Sequence, residues 1–157
     1  DFPPEFWLIE VSGIPYGLMG EMLEGGGNPW RGMLYGMTGR SPRVDNGPLW
    51  HLWDSFGMQK SEMIGYWVKD NPVKTNSDKT LATIYSHPGE KTLISLATWE
   101  DGDAKVTLSV DWAKLGLDPS KVTLYAPAIA DFQTEATWKP GDEITVPKGK
   151  GLLIIAK

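Results

Sequence analysis

The chain has 157 residues, of which 41% are apolar and 22% are charged, and its formal net charge is −5. These proportions are typical of a folded globular protein and exclude an intrinsically disordered chain. The negative charge argues against a nucleic-acid surface, which needs clustered cations. No apolar run approaches the roughly 18 residues that span a bilayer, and the lack of cysteine excludes disulfides and thiolate metal sites.

The composition of the chain changes near residue 58. Every arginine lies at or before Arg43, every lysine lies at or after Lys60, and residues 1–58 hold eleven of the 18 glycines. We therefore expect two domains, residues 1–58 and residues 59–157. The chain starts at Asp1 on an apolar stretch without the basic leader of a signal peptide. A processed product, a cut domain or a fragment of a longer protein would each begin in this way, and we expect the fragment.

The first segment predicts alternating strands and helices. An apolar run predicts a strand over 5–11, and the next pattern predicts a helix over 18–24 that ends at three consecutive glycines. A second unit follows, with a strand predicted over 31–38 and a helix over 48–56. Strand–helix order is typical of an α/β barrel, but two units cannot close a barrel, which takes eight. We expect them to pack on a missing barrel portion, on the second segment or on a partner chain.

The second segment predicts an antiparallel β-sandwich or barrel. Short alternating runs are separated by turn sequences at roughly 10-residue spacing, which is the pattern of all-β domains. One helical turn interrupts them, with Asp111 as its predicted N-cap and Gly116 as its stop. The predicted strands are 62–68, 81–86, 92–99, 105–110, 122–127, 135–139, 143–146 and 151–156.

Two groups of motifs resemble known glycoside hydrolases. In the second segment they are VDW at 110–112, LGLDP at 115–119, VTLYAP at 122–127 and KGLL at 150–153. These resemble the C-terminal β-sandwich that follows the TIM barrel in many bacterial glycoside hydrolases. In the first segment GLMGEML at 17–23, NPWRGMLYGMT at 28–38 and LWHLWD at 49–54 resemble the barrel end of large glycoside-hydrolase-like proteins of gut-type bacteria.

The resemblance implies a mainly β fold in which two βα units, like the end of a TIM barrel, precede an antiparallel β-sandwich. It implies that the parent protein cleaves glycosidic bonds in polysaccharides or oligosaccharides, without a cofactor, in the periplasm or outside the cell. The sandwich is then expected to be a structural accessory domain. Because most of a barrel is absent, we expect this chain alone not to be catalytic.

Candidate site residues lie in the first segment. Glycoside hydrolysis usually needs two carboxyl groups, which in a barrel project from the carboxyl ends of strands. Glu10, near the end of the first predicted strand, is the candidate catalytic carboxylate, with a salt bridge at the barrel rim as the alternative. The candidate substrate-binding residues are Tyr16 in a turn, Arg40 at the end of the second predicted strand, where a salt bridge is again the alternative, and Asp45 in the following loop.

Two other functions remain open from the sequence. A carbohydrate-binding module would present Trp99, Trp112 and Trp138 as a coplanar exposed row, since sugar rings stack on indole rings. A protein-interaction domain would dock through residues 1–58, on another chain or on a second copy. No metal site is predicted, because the two histidines lack a liganding pattern and the acidic tract at 100–103 resembles a polar hairpin tip.

Overall fold

The computed structural model describes residues 3–5, 28–37 and 45–157. In these ranges the helices are α1 (Pro29–Met33), α2 (Gly47–Phe56) and α3 (Trp112–Leu115), with one 3₁₀ turn at Met58–Lys60. The strands are β1 (Glu62–Ile64), β2 (Val73–Thr75), β3 (Thr80–His87), β4 (Lys91–Thr98), β5 (Ala104–Val106), β6 (Leu108–Val110), β7 (Leu124–Ala126), β8 (Ala136–Trp138), β9 (Ile144–Val146) and β10 (Gly151–Ala156).

The strands form one large antiparallel sheet and two small ribbons. The large sheet has the order β1-β3-β4-β10-β7-β8, and the ribbons pair β2 with β6 and β5 with β9. All of these pairings are antiparallel. The prediction of a mainly β, antiparallel second segment is therefore confirmed.

The large sheet is buried on both faces. Alternate side chains point to opposite faces of a strand, and on β3 and β4 Ile84 and Ile94 pack into the core formed with the ribbons. Their neighbours Tyr85 and Leu93 pack on the opposite face, against residues of α1 and α2. The domain thus has three layers: ribbons, sheet and the helices of the first segment.

Helix α2 follows the predicted start and stop signals. Pro48 lies in its first turn, and Gly57 ends it in the left-handed conformation, with φ 78°. Its buried residues, Leu49, Leu52 and Phe56, lie on one face of the helix. The same agreement holds for α3, where the Asp111 side chain accepts a hydrogen bond from the Lys114 amide.

The predicted strand over 31–38 is wrong for the residues that the structure describes. The Asn28 side chain accepts a hydrogen bond from the Arg31 amide, and Pro29 begins the helix α1, which ends in a turn that includes Gly36 at φ +72°. The cap and the proline, which are helix-start signals, outweigh the apolar composition of the run. The predicted helix over 18–24 lies outside the described residues, as does the predicted strand over 5–11 except for Glu5, which is helical.

The second segment differs from its prediction in three details. The strand predicted over 62–68 ends at Ile64. The strand predicted over 105–110 is interrupted at Thr107, so that β5 pairs with β9 and β6 pairs with β2. Strand β2 has no counterpart in the prediction, because it is only three residues long and directly follows Asn71-Pro72, a turn sequence. Among the described helices, none is long and apolar enough to cross a membrane.

Candidate functional site

Three of the four predicted site residues, Glu10, Tyr16 and Arg40, lie outside the described residues. Asp45 is exposed, and its carboxylate accepts a hydrogen bond of 2.9 Å from the Gly47 amide at the start of α2. This bond orients the carboxylate at the N-terminus of a helix, where negative charge is stabilised. The roles proposed for all four residues remain predictions.

Hydrogen bonds fasten α1 to the middle of the large sheet. Thr83 on β3 donates to the Leu34 carbonyl at 2.8 Å and accepts from the Tyr66 amide at 3.2 Å. Tyr85, two residues along the same strand, donates to the Met33 carbonyl. Burial raises the pKa of Tyr85, so the hydroxyl stays a donor across the physiological range. These side chains satisfy carbonyls at the end of α1 that have no partner within the helix.

Further bonds join α1 to the loops at one end of the sheet. Asn28 donates from its amide to the Gly149 carbonyl at 2.7 Å, and Trp30 donates to the Phe132 carbonyl at 3.1 Å. The Trp30 ring also stacks on the Phe132 ring, with centroids 5.0 Å apart. Trp30 therefore joins α1 to the loop that contains Phe132.

Two tyrosines hold the short described segment at residues 3–5. The hydroxyls of Tyr35 and Tyr66 lie 3.2 Å apart, and they are 3.1 and 3.2 Å from the Pro4 carbonyl. Burial is the largest cause of the raised pKa of both phenols. Residues 3–5 thus contact Tyr35, in the turn after α1, and Tyr66, in the chain that follows β1.

An open cleft of about 670 Å³ lies between the first segment and the sheet. Its walls are residues 3–5, Arg31, residues 78–79, residues 99–101 and residues 148–149. We call it the Trp99 cleft. The Arg31 guanidinium lies 4.4 Å from the centre of the Trp99 ring and donates to the Thr98 carbonyl at 3.2 Å. Burial lowers the pKa of Arg31, with the nearby Tyr35 opposing that change.

The rim of the Trp99 cleft carries charges of both signs. Asp78, Lys79, Asp101 and Lys148 line it and are exposed. Glu100 also lines it, and its carboxylate accepts a hydrogen bond of 2.8 Å from the Ser77 hydroxyl. Such an arrangement offers donors and acceptors side by side next to an aromatic ring.

Sequence reasoning missed this cleft. Arg31 was assigned to a strand, and Trp99 was considered only as one of three tryptophans in a row. The pair is 68 positions apart in the chain, and no local pattern links its members. The one available signal was an arginine within a largely apolar run, which indicates a buried cation with a specific partner.

The three tryptophans of the carbohydrate-module alternative do not form one exposed row. Trp112 and Trp138 are partly buried against the core between sheet and ribbons, whereas Trp99 packs beside Leu34 and Tyr35. Trp53, expected in the core, does pack there and donates to the Met33 sulfur at 3.2 Å.

His87 and the acidic hairpin have structural partners. One ring nitrogen of His87 lies 3.0 Å from the Phe56 carbonyl, while His51 is exposed on α2. Asp103 accepts a hydrogen bond of 2.9 Å from the Lys148 amide, which joins two loops. Within the part of the chain that the structure describes, no group of three or more histidine and acidic side chains is placed to hold a metal ion.

A β-sandwich fastened to a preceding segment is the class of domain expected at the C-terminus of a glycoside hydrolase, and family comparisons agree. Residues 45–157 match the model for the C-terminal domain of glycoside hydrolase 123, and residues 1–42 match the model for its TIM-barrel domain. The chain belongs to the glycoside hydrolase 123 family. Comparison with curated proteins and with solved structures gave no match.

The two family matches meet between residues 42 and 45, so α2 falls within the C-terminal match. The division of the chain after residue 58 stays a prediction. The barrel-end assignment, made from motifs of the first segment, is confirmed for residues 1–42, whereas the motif at 49–54 falls within the C-terminal match.

Proposed function

We propose that this chain is the C-terminal portion of a glycoside hydrolase whose sandwich is a structural accessory domain for the barrel. The parent protein acts on polysaccharides or oligosaccharides, and the 157-residue chain by itself does not hydrolyse them. Residues 1–58 are the barrel side of the junction and residues 59–157 are the sandwich. Carbohydrate is the ligand of the parent protein.

One observation carries the proposal: α1, which lies in the barrel match, packs together with α2 on one face of the large sheet. Met33 of α1 and Leu49, Leu52 and Phe56 of α2, the helix within the C-terminal match, form a buried cluster with side chains of that face. Leu34 and Tyr35 form another with Ala97. A face packed in this way cannot also bind a glycan, which favours a supporting role.

The polar contacts support the same proposal. Thr83 and Tyr85 are buried in the middle of a strand, and the hydroxyl of each donates a hydrogen bond to a backbone carbonyl of residues 33–34. A buried hydroxyl in a sheet costs free energy unless it finds a partner. The sheet thus contains residues whose local role is to hold the end of α1 in one position.

Activity measurements test the proposal. The full chain is incubated with a panel of aryl glycosides and oligosaccharides, and released sugar is quantified by chromatography. We expect no release above that of the heat-denatured chain. The control is Glu21→Gln, which changes a carboxylate within the predicted helix over 18–24. Turnover that disappears in Glu10→Gln but persists in this control would overturn the proposal and would assign catalysis to Glu10.

A further inference from the structure

We propose that the Trp99 cleft is a carbohydrate-binding subsite that accepts one or two neutral sugar rings. The choice of sugar as the ligand class rests on the proposed function in the parent glycoside hydrolase. The subsite itself goes beyond that function, because a purely structural domain has no need of a ligand.

The first step is the size and the construction of the cleft. Its volume of about 670 Å³ lies within the range of roughly 300–1,000 Å³ that ligand sites occupy. Its walls come from residues 3–5, from α1 and from three loops of the sandwich. A ligand there touches both segments of the chain, and the bonds from Asn28 and Arg31 to the sandwich hold the two walls together.

The second step is the fixed orientation of the Trp99 ring. The Arg31 guanidinium lies over the ring at 4.4 Å, and Arg31 is only 7% exposed. A desolvated cation over an indole ring is held more strongly than an exposed one. The ring is partly exposed and lines the cleft, so the part of its apolar surface that Arg31 leaves uncovered is a fixed contact for the C–H groups of a sugar.

The third step is the pattern of polar groups around the ring. A sugar hydroxyl both donates and accepts, and the carboxylates of Asp78 and Asp101 accept while the ammonium groups of Lys79 and Lys148 donate. Counting Glu5, Glu100 and Arg31 as well, the lining holds four carboxylates and three cations. This near balance favours a neutral sugar over an acidic one, which would meet a slight excess of negative charge.

Two other surface features give weaker support for a ligand site. A groove of about 460 Å³ beside Phe56 and Tyr125 contains Lys91 and Lys157, but the Lys91 ammonium already lies 4.9 Å from the Phe56 ring centre. The exposed apolar side chains near β1 include Trp67, 42% exposed, whose neighbours are mostly apolar or aromatic. Trp67 does not line the Trp99 cleft.

Binding measurements on the full chain test the subsite. Neutral oligosaccharides of glucose, galactose and their N-acetylamino forms, and acidic uronate oligosaccharides, are titrated by isothermal calorimetry. We expect at least one neutral oligosaccharide to bind, and Trp99→Ala to weaken it at least 10-fold. Asp101→Ala and Lys148→Ala, which change exposed rim residues, should weaken it about 3–10-fold, the effect of roughly one hydrogen bond.

A matched control separates the cleft from tryptophan exposure in general. Trp50 is 52% exposed on α2, outside the lining of the cleft, and Trp50→Ala should leave the affinity unchanged. If Trp99→Ala fails to fold, the affinities of Asp101→Ala and Lys148→Ala decide whether the cleft binds the sugar. No binding of any neutral oligosaccharide at 10 mM, preference for the uronates, or affinity insensitive to both rim variants would each overturn the subsite.

The outcomes for the subsite and for the proposed function are distinguishable. Absent binding in a chain that also releases no sugar removes the subsite and leaves the structural role intact. Hydrolysis that depends on Glu10, with or without binding at the cleft, removes the structural proposal instead.

Discussion

Thr83 shows how one hydroxyl can join three parts of the chain. It is fully buried on β3, donates to the Leu34 carbonyl, and accepts from the Tyr66 amide. Threonine and valine have nearly the same shape, so an apolar replacement would keep the packing and remove both bonds. The buried Leu34 carbonyl and the partly buried Tyr66 amide would then lose their partner, and an unpaired buried group costs more than the bond itself contributes.

We therefore predict that Thr83→Val lowers the free energy of unfolding by about 2–4 kcal/mol. The buried Leu34 carbonyl without a partner costs about 1–3 kcal/mol, and the partly hydrated Tyr66 amide adds the remainder. Urea unfolding followed by tryptophan fluorescence measures it. Thr83→Ser keeps the hydroxyl and should lose about 1 kcal/mol, the value of one buried methyl group. Thr145→Val, at an exposed position on β9, is the control and should change little. A Thr83→Val protein as stable as the wild type would contradict the bridging role.

The strand β10 depends on close contact with β4 at its first residue. A Cβ added to Gly151 would lie 1.8 Å from the Leu96 carbonyl oxygen and 3.0 Å from the Trp30 Cβ. Backbone atoms of a paired strand cannot turn aside as a side chain does, so the two strands would have to separate. Glycine in a strand interior marks such close approaches.

We predict that Gly151→Ala lowers the free energy of unfolding by more than about 3 kcal/mol, in the range of severe core defects. Thermal unfolding followed by circular dichroism measures the loss. Gly102→Ala is the matched control, because a Cβ there has no atom within 4 Å. Equal melting temperatures for the two variants would contradict the contact between β10 and β4.

Local sequence signals predicted some elements and failed at others for identifiable reasons. The predicted strand over 151–156 coincides with β10, because a polar turn marks its start. The predicted end of α2 is also right, because Gly57 adopts the left-handed conformation that ends a helix. The strand predicted over 31–38 was wrong because apolar composition alone does not distinguish a strand from a buried helix. The contact between Arg31 and Trp99 depends on tertiary packing, so no periodic pattern in the sequence indicates it.

At the scale of the molecule, the sheet requires cover on the face that Tyr85, Leu93 and Leu153 occupy. That cover is supplied by α1 and α2, which precede residue 58. Removing residues 1–58 would therefore expose a contiguous apolar surface on an otherwise complete sandwich. Surfaces of this kind lead to self-association.

We predict that a fragment of residues 59–157 self-associates and binds a hydrophobic dye, whereas the full chain does so much less. Gel filtration with light scattering gives the mass, and dye fluorescence reports the exposed surface. A fragment of residues 45–157, which retains α2, should fall between the two. A monomeric 59–157 fragment without dye binding would show that the helices are dispensable to the sheet.

The central position of β10 has a consequence for the order in which the domain folds. It lies between β4 and β7 in the sheet, yet it follows both of them in the chain. The β3–β4 hairpin can form early, because its strands are joined by a short turn. The halves of the sheet stay separate until β10 enters between them, and such non-local pairing is slow. During synthesis the helices of the barrel side therefore emerge well before their complete docking surface exists.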